Sequence, residues 1–393
     1  MRVPLLDLVR QHERVREAVE TRIRAVFDSQ QFILGRTVEE FEEAFCEFTG
    51  CSHAVGMSSG TDAQLAILMA LGIGPGDAVI TTPYTFFATV GSIHRAGAEP
   101  VFVDITPDTF HMDPAGLRRC LEQLMRGTDG CLTTARGNCV RAVIPVHLFG
   151  MCCAMDALRD AVGPYQLTII EDAAQAIGAE CLSKGVASRA GALGDAAFFS
   201  FFPTKNLGGA GDAGMAVCRS EELATSLRLV RNHGMERRYF HPIVGGNFRL
   251  DAIQAAVLHA KLPYVEEWNA ARRRNVGLYA AAFSDLSDHV QLPAEPWKDS
   301  GLVNHHTWHQ FVIRARRRDE LLRHLEAAEI GHAVYYQVPL HLQECFSYLG
   351  YKEGDFPESE RAARETVALP IFPELREEEI EDVVQAIRNF YSK

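Results

Sequence analysis

The chain has 393 residues, 47% of them hydrophobic and 23% charged, and its 39 basic against 51 acidic side chains leave a formal charge of −12. That composition excludes disorder and low complexity as the main theme, and the negative balance argues against a general nucleic-acid binder. The length suggests roughly two or three domain-sized units at about 150 residues each.

The opening stretch MRVPLLDLVRQHERVREAVE alternates charged and apolar side chains, so it lacks the apolar run of a signal peptide. No window of about 18 apolar residues occurs, and no spanning helix is expected. From Arg10 to Phe48 the apolar positions Val15, Val19, Ile23 and Val26, then Phe41, Ala44, Phe45 and Phe48, recur at helical spacing around a break near Gly35. Two amphipathic helices follow from that pattern. A regular alternation comes next: HAVGMSS as strand and turn, TDAQLAILMALGI as helix, GDAVITTP as strand, FFATVGSIHRAG as helix and EPVFVDI as strand. Short apolar runs separated by helices of a dozen or so residues predict βαβ units and a mainly parallel sheet buried on both faces.

The alternation continues through RAVIPVHLFG, CAMDALRDAVG, LTIIEDAAQ, AAFFSFFP and AGMAVCR, interrupted between Met125 and Val140 by a polar excursion that fits neither period. A long helical region, LDAIQAAVLHAKLPYVEEWNAARRRNVGLYAAAF, should bend or break at Pro263. Strands are expected at TWHQFVIRA and HAVYYQ, with helices at RRDELLRHLEAAEI and EEEIEDVVQAIRNF. The expected architecture is α/β, with a large domain over 1–255 and a smaller α+β domain over 256–393. Ten cysteines are scattered without a CxxC pair, which reads as reduced, mostly buried thiols in the cytoplasm, with neither a metal site nor a disulfide framework.

Ligands of parallel α/β sheets sit at the carboxyl ends of strands. Ser58, Ser59, Gly60 and Thr61 stand directly before an apolar helix, where they make either a helix cap or a phosphate cradle. LTIIEDAAQA ends a buried strand with Glu171 and Asp172, whose carboxylates could hold a cation, a ribose or a protonated ring nitrogen. The basic residues divide into 33 arginines and only six lysines, Lys184, Lys205, Lys261, Lys298, Lys352 and Lys393. Only Lys205, after Ser200 in SFFPTKN, lies between an apolar strand and a glycine-rich turn, where burial would lower its amine pKa and make it nucleophilic. GAGDAG at 209–214 satisfies GxGxxG literally, yet it follows a turn and leads into a strand, so the dinucleotide fingerprint lacks its context. A phosphate cradle, an aromatic cluster in TPYTFFAT, an acid at Asp172 and a desolvated lysine at Lys205 together match the requirements of pyridoxal phosphate.

At these residues the chain resembles the DegT/DnrJ/EryC1/StrS sugar aminotransferases, members of the fold-type I pyridoxal-phosphate enzymes. SSGTDA, GIGPGDAVITTPYTFFAT, AGAEPVFVDI, PVHLFG, EDAAQAIGA, GDAAFFSFFPTKNLG, GGNFRLDAIQAAVL and YYQVPLHLQ read as that family's landmarks in its order. The resemblance implies a seven-stranded-type sheet in the large domain and pyridoxal 5'-phosphate joined to Lys205 as a Schiff base. It implies that Asp172 pairs with the ring nitrogen, Gln175 contacts the ring hydroxyl and Phe86 stacks on the ring. Ser59, Gly60, Thr61 and Ser200 are the matching phosphate contacts. Asn247 matches an asparagine that reaches the neighbouring subunit's cofactor, so a homodimer with shared sites is implied.

The implied reaction is amino transfer from glutamate or glutamine to a nucleotide-linked keto sugar, with Arg249, Tyr335, Tyr336 and His341 as candidate substrate contacts. Arg249 reads equally as a surface arginine, and His341 as a structural residue. The carboxyl-terminal text is more similar to members acting on 3-keto sugars than to those acting on 4-keto sugars. Ile177 departs from the histidine that relatives often carry. A cyclitol aminotransferase, a regulatory protein on the same scaffold and a nicotinamide oxidoreductase are the competing readings. No membrane or nucleic-acid partner is expected.

Overall fold

The computed structural model describes residues 2–127 and 130–392. The chain begins with α1 (Leu8–Ser29) and α2 (Arg36–Thr49), separated at Gly35, where φ is 80°. Asp7 caps α1 by accepting from the Val9 and Arg10 amides, and the helix buries Val15, Val19 and Val26 along one stripe. Next come β1 (His53–Met57), α3 (Gly60–Ala70), β2 (Asp77–Thr81), α4 (Phe87–Arg95), β3 (Glu99–Phe102) and α5 (Pro114–Gln123). The polar excursion forms two short strands, β4 (Met125–Arg126) and β5 (Leu132–Thr133), ahead of β6 (Cys139–Val143). Thr128 and Asp129 of that excursion lie outside the described residues, as does Lys393.

After α6 (Met155–Val162) the chain runs through β7 (Thr168–Asp172), a hairpin of β8 (Glu180–Ser183) and β9 (Val186–Arg189), β10 (Ala196–Ser200) and β11 (Gly214–Cys218). The main sheet has the order β1-β11-β10-β7-β6-β2-β3, with β5 paired to β6 and β4 paired to β5. Neighbours from β10 through β3 are parallel, whereas β11 runs antiparallel to both β1 and β10. Every residue of β11 is buried, as are the apolar residues of β10 and β2, because helices cover both faces. α3 is apolar nearly all round, with Ala63 through Leu68 buried and Thr61, Asp62, Met69 and Ala70 toward its two ends half-buried.

The helices α7 (Glu221–Arg231), α8 (Ala252–Lys261) and α9 (Val265–Ala282) follow, with a single 3-10 turn at Leu262–Tyr264 where the proline breaks the long helical pattern. A second sheet, β12 (Val290–Gln291), β13 (Phe311–Ala315) and β14 (Thr366–Leu369), packs with α10 (Arg318–Ala327) and α12 (Glu377–Tyr391), and α11 (Pro357–Glu365) precedes β14. The first core runs on through Trp268, and a second one contains Val276, Phe311, Val383 and also Val3 from the amino terminus. The expected border at 255/256 falls inside α8.

Two expectations need correction. HAVYYQ is no strand: its only sheet contact is a bridge between Ala333 and Ala368. Its Tyr335 carbonyl accepts from the Tyr84 hydroxyl, and downstream the Leu340 amide donates to Pro83, so this segment spends its backbone on the loop after β2. The thiols are not all reduced either, since Cys131 and Cys139 are disulfide-bonded across the excursion, with Cα atoms 5.9 Å apart.

Candidate active site

Four strand ends meet at one edge of the main sheet. Met57 at the end of β1 and Ser200 at the end of β10 both pair with Gly214 at the start of β11, and Phe198 pairs with Asp172 at the end of β7. Parallel pairing of β7 and β10 thus brings Asp172, Ser200 and the 201–213 turn with Lys205 to the same side. α3 starts here: Ser59 caps it by accepting from the Asp62 amide at 3.0 Å, and Ser58 donates to the Asp62 carboxylate at 2.7 Å. The helix's first amides, at Gly60 and Thr61, precede the intrahelical ladder and are free to face an anion. A Cβ on Gly214 would lie 2.3 Å from the Ser59 carbonyl carbon, and one on Gly60 would lie 2.7 Å from the Ser200 Cβ. Only glycine lets Ser59, Gly60 and Ser200 close into one cradle.

Burial lowers the Lys205 amine to about 8, and the nearby Asp172 charge opposes that shift without cancelling it. Asp172 is 5% exposed. Burial pushes its carboxyl up, while hydrogen bonds from the Thr89 hydroxyl (2.7 Å) and the Ala174 amide (3.2 Å), with the Lys205 charge, hold it down. The glycine turn around Lys205 is stitched from a distance. Lys261 Nζ donates to the Gly208 carbonyl at 2.8 Å, and the Ala210 amide donates to Gln254 at 2.8 Å. Asn206, beside the lysine, donates to Asn269 and to the Thr307 carbonyl. The GAGDAG segment is this turn leading into β11, with no helix opening on it.

Gln175 lies between the two halves of the chain. Its Oε1 accepts from the Phe149 amide at 2.8 Å and its Nε2 donates to the Tyr336 hydroxyl at 2.9 Å. Phe86, the residue before α4, is 57% exposed with its ring 6.2 Å from that of Tyr336. Tyr84 sits beneath, fully buried, donating to the Tyr335 carbonyl. Arg249 is half-buried on the segment that bridges β1 at Met57, with one guanidinium nitrogen donating to Asn232 at 2.8 Å.

Two candidates remain. Asn247 is exposed on a segment rich in exposed apolar side chains, among them Tyr239, Phe240 and Val244. His341 is buried in the smaller part of the molecule, 3.2 Å from Glu360 and edge-on to Phe356. Those contacts are the ones its structural reading expects, and they leave Nδ1 buried without a hydrogen-bond partner among the described residues.

Of several further polar groups at this edge, all but Glu171 escaped the sequence reading. Thr89 touches Asp172 directly, and Thr85 lies 3.0 Å behind it. Glu171, fully buried, accepts from the Gly191, Leu193 and Gly194 amides and pairs with His147 at 2.9 Å. The Cys153 amide donates to His147 Nδ1, which leaves the imidazole proton on Nε2 for Glu171. His309, 3.1 Å from Asn206, is held neutral by burial and by the Lys205 charge. Apart from Glu171, none has a local sequence signature.

Known proteins give an independent comparison. Residues 13–388 match the DegT/DnrJ/EryC1/StrS aminotransferase family. The chain is 44% identical over 392 residues to the "Pleiotropic regulatory protein" of Geobacillus stearothermophilus, covering 100% of this chain and 99% of the relative. It is 39% identical over 386 residues to the UDP-N-acetyl-3-dehydro-alpha-D-glucosamine 3-aminotransferase of Acidithiobacillus ferrooxidans, covering 98% and 97%. An S. venezuelae protein solved in complex with a ketimine intermediate superposes with a TM-score of 0.89 at 37% identity, covering 100% of this chain and 99% of that one.

Proposed function

This chain belongs to the DegT/DnrJ/EryC1/StrS aminotransferase family, and from that premise we propose that it uses pyridoxal 5'-phosphate to move an amino group from glutamate or glutamine onto a nucleotide-linked keto sugar. A 3-keto sugar is favoured over a 4-keto one, since the Acidithiobacillus ferrooxidans relative is named as a 3-aminotransferase. The observation that carries the reading is the meeting of Lys205, Asp172 and a glycine-lined cradle at one sheet edge.

The residues present fit the cofactor. The cradle has no room for a Cβ at Gly60 or Gly214 and is bordered by a helix start, which suits a phosphate held by Ser59, Gly60, Thr61 and Ser200. Asp172 would pair with the ring nitrogen, Gln175 would meet the ring hydroxyl and Phe86 would cover one face. When bound, the cofactor supplies an electron sink for the carbon that loses its proton.

Lys205 does the proton work. With its amine lowered to about 8, roughly a tenth is neutral near pH 7 where an ordinary lysine would be almost wholly charged, so Nζ can attach covalently and, once released, take the donor's α-proton. On the second half of the cycle the same Nζ gives a proton up as the sugar is aminated. Burial pushes the Asp172 carboxyl up, against its hydrogen bonds and the Lys205 charge, and in its ionised form it would stabilise positive charge across the site. Arg249, Tyr335 and Tyr336 border the edge where the sugar nucleotide would enter, with Arg249 able to pair with a diphosphate oxygen.

The exposed apolar segment around Tyr239 and Val244 supports a homodimer in which Asn247 serves the neighbouring subunit's site. No helix among the described residues is long and apolar enough to cross a membrane, and we place the enzyme in the cytoplasm. The name of the Geobacillus relative raises a regulatory reading, against which Lys205 and Asp172 both stand in place here. The test is to convert the loaded protein to its pyridoxamine form and offer a panel of nucleotide keto sugars and cyclitol ketones. Return of the lysine-bound absorbance with a 3-keto nucleotide sugar is expected. Return with a 4-keto sugar alone overturns the regiochemistry, return with a cyclitol ketone alone overturns the substrate class, and a protein that takes up no cofactor overturns the assignment.

A further inference from the structure

Asp172 is the acid on which the proposed chemistry turns, yet its side chain is almost entirely out of water, where an ionised carboxylate is costly. Its oxygens are unequally provided for. Oδ1 accepts from the Ala174 amide at 3.2 Å, and Oδ2 accepts from the Thr89 hydroxyl at 2.7 Å, the shorter and stronger bond. An ionised carboxylate only accepts, so Thr89 is the donor in that pair. The Thr89 oxygen is then open to accept from Thr85, 3.0 Å away and one helical turn earlier in sequence. Both threonines are buried, and the Thr89 carbonyl is pinned by Gln64 Nε2 at 2.7 Å. The result is a chain of buried hydroxyls that ends on Asp172.

We propose that Thr89 is a positioning residue for catalysis: its hydroxyl, backed by Thr85, fixes the rotation of the Asp172 carboxylate and keeps it ionised, so that Asp172 can pair with the cationic ring nitrogen of the cofactor. The inference rests on the cofactor reading above. It differs from a packing role because the methyl group of Thr89 and its hydroxyl do separable things: the methyl fills space, the hydroxyl stabilises charge. Other groups face Asp172 from the elements around it. Lys205 on the β10–β11 turn favours the anion, and His147 after β6 would add to that only with a second ring proton, which the Cys153 amide on its Nδ1 opposes, while Cys153 and, from the smaller part of the molecule, Tyr336 feel the Asp172 charge as repulsion toward their own ionisation. Lys205 ceases to be an isolated cation once it carries the cofactor, and Thr89 is then the closest charge-stabilising side chain that the reaction leaves unchanged.

The test is the affinity of the apo-protein for pyridoxal 5'-phosphate, read by tryptophan quenching as a function of pH, in wild type, Thr89→Val, Thr89→Ser and Thr85→Val. Losing a hydrogen bond to a buried charge should weaken binding by Thr89→Val roughly ten- to a hundred-fold at neutral pH and start the acid loss of affinity at a higher pH. Thr89→Ser, which keeps the hydroxyl, should stay within roughly three-fold of wild type at every pH. Thr85→Val leaves every atom of Thr89 in place and should shift the curve in the same direction by a smaller factor, which keeps the idea testable if Thr89→Val folds poorly. Equal losses in Thr89→Ser and Thr89→Val, or a Thr89→Val curve superimposable on wild type, overturn the proposal. If wild type itself fails to bind, the cofactor reading has failed instead.

Discussion

The sheet edge at Asp172 and the exposed segment at 236–247 are opposite in character. At the edge the two buried carboxylates and Asn206 are answered from inside the chain: Asp172 by Thr89 and Ala174, Glu171 by three amides and His147, and Asn206 by Asn269 and Thr307. Along the segment the reverse holds. Tyr239, Phe240, Ile243 and Val244 present large apolar surfaces to solvent, with Val244 87% exposed. The first region is built for charge in a dry place, which needs all its partners at once. The second is the kind of surface that the neighbouring subunit of the proposed homodimer would cover. A complete half-site and an incomplete one in a single polypeptide are what the proposed shared active site would require.

The contrast can be broken at either end. Lys205→Ala should have the largest effect, a loss of turnover of at least about four orders of magnitude, because the attachment point and the proton carrier go together; normal single-turnover amino transfer in this variant would end the reading. Asp172→Asn comes next. A neutral amide keeps the shape but cannot balance a ring cation, and kcat should fall roughly a hundred- to a thousand-fold with Thr89 left facing a poorer acceptor.

Asn247→Ala should weaken cofactor binding about ten-fold. Its diagnostic is complementation: mixing it with Lys205→Ala after dissociation and reassociation should restore part of the activity, since one of the two mixed sites then has both native residues. No recovery would place Asn247 in its own chain's site or outside any site. The smallest effect concerns stability. The folded amine of Lys205 lies at about 8 against 10.5 for a free lysine. Burying it charged therefore costs stability below about pH 8, and that cost fades as pH rises toward 10.5. Lys205→Met should stabilise the apo-protein by about 1–3 kcal/mol near pH 7, with the advantage shrinking above pH 8. Denaturant melts at the two ends of that range decide it, and an advantage that grows with pH would contradict the buried-cation account.

Much of this was legible in the sequence because the signals are local. Lys205 is the one lysine of six set between an apolar strand and glycines, and Asp172 closes an apolar run, so strand-end logic finds both. α1 and α2, the β-α alternation and the break at Pro263 follow from period and backbone chemistry. What stayed hidden depends on distant partners. Thr89 sits in FATVGSI as one more small residue of a helix, and only the packing of α4 on the end of β7 turns it toward Asp172. HAVYYQ has strand-like residues, but the loop at Pro83 and Tyr84 captures the backbone there and downstream. Cys131 and Cys139, eight residues apart, meet because a hairpin folds them together.

The stitching of the lysine turn also bears on timing during synthesis. Asn206, next to the reactive amine, is satisfied by Asn269, 63 positions later, and by Thr307, 101 positions later, while Gly208 waits for Lys261. A ribosome that has released the whole main sheet has still not delivered these partners. The turn around Lys205 thus acquires its final form only when the segment just before β13 arrives, and a fragment ending at residue 255 would carry the lysine with Gln254 but without Lys261, Asn269 and Thr307. Reactivity at Lys205 is a property that the nascent chain acquires late, after the rest of the cradle has been laid down.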